Sequence, residues 1–409
     1  MPTNLFDKSD YRYARVSLAA NGSNLLAAAI RCSQNIESGS VWGYNEITTK
    51  RSTDGGKTWS EENVILTPPA RKITAEADNT KSSFFQNPQL LFSGGEYVLL
   101  FTFFPESMGA EEEQLLDKKK AAYTYFNNNT RPIIYDRDGN YYIIAENGKV
   151  LTSAKATTEY TVRDMGELFS GEEYIGNIYL NGAMGKSDGV GKTTFGAPLK
   201  APKRSYIMVM KSADGIRWSK PVDITSQILN DADGAVLITG EGNGTVTSEG
   251  KIIVPLYSDK GALCIYSYDG GVTWSRNRHI PYMPTKDSAL SLVQLPGGEL
   301  LALGSKWCIS HDKGITWMKE KAKATPSCAV CRGDRLFLII HSAKVGTYLL
   351  GCDIISKKGK FKTVKPDKNT TALPGAFFPA AQLAFCSDKL AILHISDDYT
   401  NVAIDTTEV

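Results

Sequence analysis

Apolar residues fall in short runs along the chain, most of them opened by a turn signal. Leu25–Ile30, Glu96–Phe101, Lys251–Pro255, Glu299–Leu303, Arg335–Ile340 and Lys389–His394 are either continuous or alternate in period two. Turn residues such as Gly94-Gly95, Glu249-Gly250, Gly297-Gly298, Gly333-Asp334 and Ser387-Asp388 precede most of them. Runs of this length between turns read as strands rather than helices. Six such runs predict an all-β chain, a six-bladed β-propeller in which each blade is a four-stranded sheet.

A repeated turn supports this reading. Ser52-Thr-Asp54-Gly-Gly-Lys-Thr-Trp59, Ser267-Tyr-Asp269-Gly-Gly-Val-Thr-Trp274 and Ser310-His-Asp312-Lys-Gly-Ile-Thr-Trp317 share the pattern S-x-D-x-G-x-x-W, the Asp box. Ser212-Ala-Asp214-Gly-Ile-Arg-Trp218 is one residue short of it. The aspartate accepts backbone N–H bonds across a hairpin tip. The glycine allows positive φ there, and the tryptophan buries a large ring between sheets. Asp54, Asp214, Asp269 and Asp312 are therefore turn residues, and their acidity carries no chemistry.

Composition narrows the function classes. Of the 409 residues, 42% are hydrophobic and 22% charged, which suits a folded core. A net charge of +2, from 46 basic and 44 acidic residues, gives no reason to expect nucleic acid. No run approaches the ~18 apolar residues of a membrane span. The first residues are polar and lack a signal-peptide core, which fits a cytoplasmic protein or one cut from a longer secreted precursor. The seven cysteines mostly sit in apolar runs and read as buried free thiols. Cys328 and Cys331 would face opposite sides of a strand, and the four histidines are scattered, so neither a metal nor another cofactor is expected.

The first and second boxes, at Ser52 and Ser212, stand much further apart than one blade requires. The surplus, residues 104–205, reads as a mostly-β insertion within blade two. It includes a charged, helix-compatible piece at Glu111–Lys120, a hairpin pattern at Tyr135–Tyr142 and a glycine- and lysine-rich loop at Gly189–Lys200.

Together these features resemble the larger bacterial sialidases (neuraminidases), glycoside hydrolases with Asp boxes, six blades and an insertion in blade two. Trp42-Gly-Tyr44, Asn87-Pro88, Gly176-Asn-Ile-Tyr-Leu180, Ser205–Ser212, Asp223-Ile-Thr225 and Gly240-Glu-Gly-Asn-Gly244 extend the resemblance along most of the chain. It implies exo-cleavage of sialosides by a tyrosine nucleophile assisted by a glutamate, with an aspartate as acid/base and three arginines clamping the substrate carboxylate.

Position by position the carry-over is uneven. Arg15 matches the first clamp arginine, with Arg12 as a neighbour. Val41 falls on the acid/base position unless Glu37 or Glu46 replaces it. The assisting glutamate falls near Asp287, with Ala289 in another register. Lys306 and Lys344 stand near the second and third arginines, and Ala380 stands at the nucleophile. Valine and alanine cannot do this chemistry, so the chain reads as a catalytically degenerate relative, a pseudoenzyme, that recognises sialylated or other acidic glycans.

Two alternatives remain. One is an active glycosidase with relocated groups, Glu241 and Asp287. The other is a propeller that serves only as a protein-interaction scaffold. Glu241 either faces the channel or caps its glycine-rich turn. Lys306 and Lys344 join Arg15 in a cationic pocket or are simply solvated. Asn87 bonds a ligand or its own turn, Tyr257 lines the cavity or packs, and Trp42 stacks on a sugar or seals the core. The sequence leaves linkage and oligomeric state open.

Overall fold

A computed structural model describes residues 3–33, 43–69, 82–108, 120–180, 197–230, 233–234, 236–281, 283, 289–321, 324–357, 360–373, 376–396 and 399–408. Six antiparallel sheets follow one another in chain order, each running from an inner to an outer strand. Blade one consists of Tyr11–Asn21, Asn24–Ser33, Asn45–Ser52 and Asn63–Leu66. Blade two is Phe84–Ser93, Glu96–Phe104, Tyr206–Ser212 and Val222–Asp223. Blade four runs from Ser291–Gln294 to Met318–Glu320, and blade five from Pro326–Arg332 to Lys360–Ala372. In blade six, Ala376–Cys386, Lys389–Ser396 and Val402–Glu408 are joined by Thr3–Phe6, which pairs with the last of them. Each of the six apolar runs falls in the second strand of a blade, where both sheet faces are covered.

Blade three departs from this regularity. Its inner edge is split into Leu237–Thr239 and Thr245–Val246, both paired with Ile252–Ser258. Glu241 therefore sits in an interruption of the inner strand rather than at its start. The glycines around it permit close approach to blade four. A Cβ on Gly242 would lie 2.1 Å from the Leu290 carbonyl oxygen, a distance no side chain tolerates.

The core lies between blades. Leu26, Ile30, Phe85 and Phe101 pack between blades one and two, and Leu301, Trp307, Leu338 and Ile354 between blades four and five. Leu5, Tyr13, Leu25, Ala391 and Ile404 pack between blades six and one. The Asp-box turns reinforce the same contacts. A Cβ on Gly215, where φ is +71°, would touch Leu26 of blade one at 3.0 Å, and one on Gly56 would lie 3.6 Å from Thr406 of blade six. Each of these turns lies against the preceding blade, and the first box closes onto the last.

Between the second and third strands of blade two the chain forms a separate seven-stranded meander, from Tyr123–Phe126 to Glu173–Asn177. Ile134, Val150, Leu168 and Ile178 form its own small core. The hairpin expected at Tyr135–Tyr142 is present, its turn held by Asp136, which accepts the Asp138 and Asn140 N–H groups. Residues 111–119 and 189–196 lie outside the described residues.

Candidate functional site

In each blade, the start of the inner strand and the turn between the second and third strands share one face of the disc, and the Asp boxes share the other. On the first face three blades converge at the channel mouth. Arg15 lies just past a β-bulge in the inner strand of blade one. Its Nη2 donates to Glu241 Oε1 at 2.7 Å, its Nε to Asn87 Oδ1 at 3.2 Å, and its Nη1 to the Ala14 carbonyl at 2.9 Å. A guanidinium has five N–H groups, so two have no partner among the described residues. Both charged side chains keep partial access to solvent, 16% for Arg15 and 13% for Glu241. Asn87 has φ of 46° and donates its amide to the Thr239 carbonyl at 2.7 Å, tying blade two to blade three.

Below the mouth a belt of amide side chains crosses the axis. Gln89 donates to the Gly240 carbonyl at 2.8 Å, and Gln382 of blade six to the Glu241 carbonyl at 3.1 Å. Asn243 donates to the Ala329 carbonyl at 2.9 Å and accepts the Ala329 N–H at 3.0 Å. Beyond this belt the inner strands of all six blades line a cavity of about 310 Å³ that opens on the Asp-box face.

The BNR/Asp-box repeat model matches residues 50–61 and 265–276, the boxes of blades one and three. A sialidase of Clostridium perfringens is 27% identical over 131 residues, which cover 28% of this chain and 34% of that protein. A sialidase of Bacteroides fragilis strain YCH46 is 27% identical over 177 residues, covering 38% and 31%. The chain thus matches about a third of the length of these curated relatives. The intramolecular trans-sialidase from Ruminococcus gnavus, solved with oseltamivir carboxylate, superposes with a TM-score of 0.78 at 18% identity, covering all of this chain and 97% of that one. The fold is thus the six-bladed β-propeller with Asp-box turns that this solved trans-sialidase also has.

In this propeller the Asp-box aspartates act within their own turns. Asp54 Oδ1 accepts the Lys57 and Thr58 N–H groups at 3.0 and 2.9 Å, and Ser52 Oγ accepts the Gly56 N–H at 2.9 Å. Trp59 Nε1 donates to the Gly56 carbonyl at 3.1 Å. Asp214, Asp269 and Asp312 accept backbone N–H groups of their own turns in the same way. Hydrogen bonding, led by the Thr58 backbone N–H, holds Asp54 well below the usual carboxylate range.

The other expected residues are more dispersed. Lys306 and Lys344 are exposed in the turns between the second and third strands of blades four and five, on the Arg15 face, and bond to none of the trio. Tyr257 is buried, and its hydroxyl accepts the Leu290 N–H at 2.7 Å, so it braces the entry to blade four. Glu37, Val41, Trp42 and Asp287 lie outside the described residues, as does the side chain of Ala380. Among the described residues no group of histidine, cysteine and acidic side chains could hold a metal.

Glu46, the alternative acid/base, belongs to a charged cluster whose other charged members the sequence did not single out. Arg31, at the end of an apolar strand, donates to Glu46 at 2.7 Å and to Glu62 at 2.9 Å and stacks 4.2 Å from the Tyr11 ring centroid. Tyr13 and Tyr44 donate to Glu62 and Glu46, each at 3.3 Å. Burial, aided by the Glu46 carboxylate, pushes the Tyr44 phenol up to about 12. Glu62 stays below its ordinary range because bonds from Thr48, Arg31 and Lys8 outweigh its burial. A lone arginine closing the run Leu25–Ile30 was the available signal for this cluster.

Proposed function

We propose that the channel mouth binds a terminal sialic acid or a related acidic sugar, as a receptor without ordinary hydrolytic turnover. Arg15 carries this reading. Its guanidinium is fixed by Asn87 and Glu241 yet keeps two N–H groups for a carboxylate, a pairing whose fork geometry lysine cannot copy. The partial identity to sialidases of Clostridium perfringens and Bacteroides fragilis supports the choice of ligand. Val41 and Ala380, at the aligned acid/base and nucleophile positions, support the loss of turnover.

Titration with N-acetylneuraminic acid and with a fluorogenic sialoside tests both halves. Saturable binding that weakens with salt, falls at least tenfold in Arg15→Ala and comes without fluorophore release is expected. Release abolished by Arg15→Ala would instead support an active glycosidase with relocated groups, for which Glu241 and Asp287 are the candidates. Absence of binding would leave the scaffold reading, which the exposed Ile216, Val272 and Ile315 at three Asp-box turns favour.

A further inference from the structure

On the Asp-box face, far from Arg15, a cavity of about 90 Å³ lies between blades three and four. Lys251 lines it and is only 3% exposed. Its ammonium has one hydrogen bond, to the Lys313 carbonyl at 3.1 Å, and otherwise faces the rings of Tyr266 and Tyr268, with centroids at 4.1 and 4.9 Å. No carboxylate pairs with it among the described residues. Aromatic faces attract a cation but do not neutralise it, and a desolvated charge without a counter-ion is costly.

The rest of the lining is rich in donors. Gln294 accepts the Ser248 N–H through Oε1 at 2.7 Å, and its amide N–H groups have no partner among the described residues. Thr247 Oγ1 accepts the Lys251 N–H at 3.1 Å and retains its own proton. Lys313 and Glu249 both line the cavity and neutralise each other, Lys313 Nζ donating to the two carboxylate oxygens at 2.8 and 2.7 Å. Glu299, whose chain neighbours Gly298 and Leu300 line the cavity, turns to blade five and accepts the Phe361 N–H. Two lysines and one glutamate leave one positive charge uncompensated inside a space large enough for a few waters or one tetrahedral ion.

We infer that this cavity is a binding site for a small free oxyanion of the phosphate or sulfate class, seated on Lys251 and Gln294. Its enclosure favours the free ion over an ester carried on a larger molecule. It is separate from the sugar site and stands or falls independently of it.

Calorimetric titration of the full chain with inorganic phosphate, at low ionic strength, tests the inference. One saturable site is expected in the wild type and in Arg15→Ala, weakened at least tenfold in Lys251→Met and at least threefold in Gln294→Leu. Phenyl phosphate should bind at least tenfold more weakly than the free ion. Circular dichroism checks each variant for folding, and if Lys251→Met does not fold, Gln294→Leu decides. The inference is overturned by absence of saturable binding, by undiminished binding in the deciding variant, by loss of binding in Arg15→Ala, or by phenyl phosphate binding as well as phosphate.

Discussion

The side-chain amide of Asn243 pairs with both backbone groups of Ala329, joining blade three to blade five past the intervening blade. It does what a neighbouring strand would do for Ala329, whose residue is fully buried. Asn243→Leu leaves an N–H and a C=O without partners, each worth about 1–3 kcal/mol. A loss of about 2–5 kcal/mol, read from urea unfolding midpoints, is expected. A loss below about 0.5 kcal/mol would show that solvent replaces the amide and that the belt does not hold the axis.

Glu241 orients Arg15 and would repel an anion bound beside it. Glu241→Gln keeps an oxygen acceptor for Nη2 and removes the charge. Two unit charges roughly 6 Å apart in a solvated mouth interact by about 1 kcal/mol, so binding of N-acetylneuraminic acid should tighten about fivefold. Weaker binding in this variant would mean that the negative charge is needed to hold Arg15 in place.

The Asp boxes predict a particular acid response. Asp269 is lowered to about 2; burial acts to raise it, but the Thr273 hydroxyl and N–H, Ser267 and the Val272 N–H outweigh that effect. A folded value below the unfolded one, about 3.9, stabilises the protein above pH 4. That contribution is lost as pH falls toward 2. The stability gap between wild type and Asp269→Asn should be full above pH 4 and shrink steadily below it. A gap independent of pH would remove the carboxylate charge from the explanation.

The described thiols are all free, and Cys331 alone among them is not buried. Burial pushes Cys32, Cys264 and Cys328 up to about 12, and Cys331 to about 11. Thiolate is the reactive form, so iodoacetamide at pH 8 should label the native protein slowly and at Cys331 first. Fast modification of several cysteines, read by mass spectrometry, would contradict this packing.

The blade pattern was legible because period and turn chemistry are local. Each second strand is covered on both faces and has a central apolar run, and each Asp box is written within eight consecutive residues. The split inner strand of blade three was not legible, since it depends on Gly242 meeting Leu290 of the next blade. At the site, Arg15 and Glu241 were both visible as candidates. Their contact was not, because it bridges distant parts of the chain through three blades. Tyr257 and the Arg31 cluster show the same limit: a polar residue in an apolar run does not reveal whether its partner is a ligand, a backbone group or a buried acid.

Thr3 pairs with Ile404, and Asn4 with Ala403, so the first and last strands are neighbours in one sheet. The ring is therefore sewn shut by hydrogen bonds rather than by a peptide link, and the place where the chain is cut is a matter of connectivity, not architecture. A short linker between these two strands, with a new opening at the exposed Gly94-Gly95 turn, should yield a circular permutant with the same six blades. Deleting Thr3–Phe6 without that linker should instead unbutton blade six from blade one.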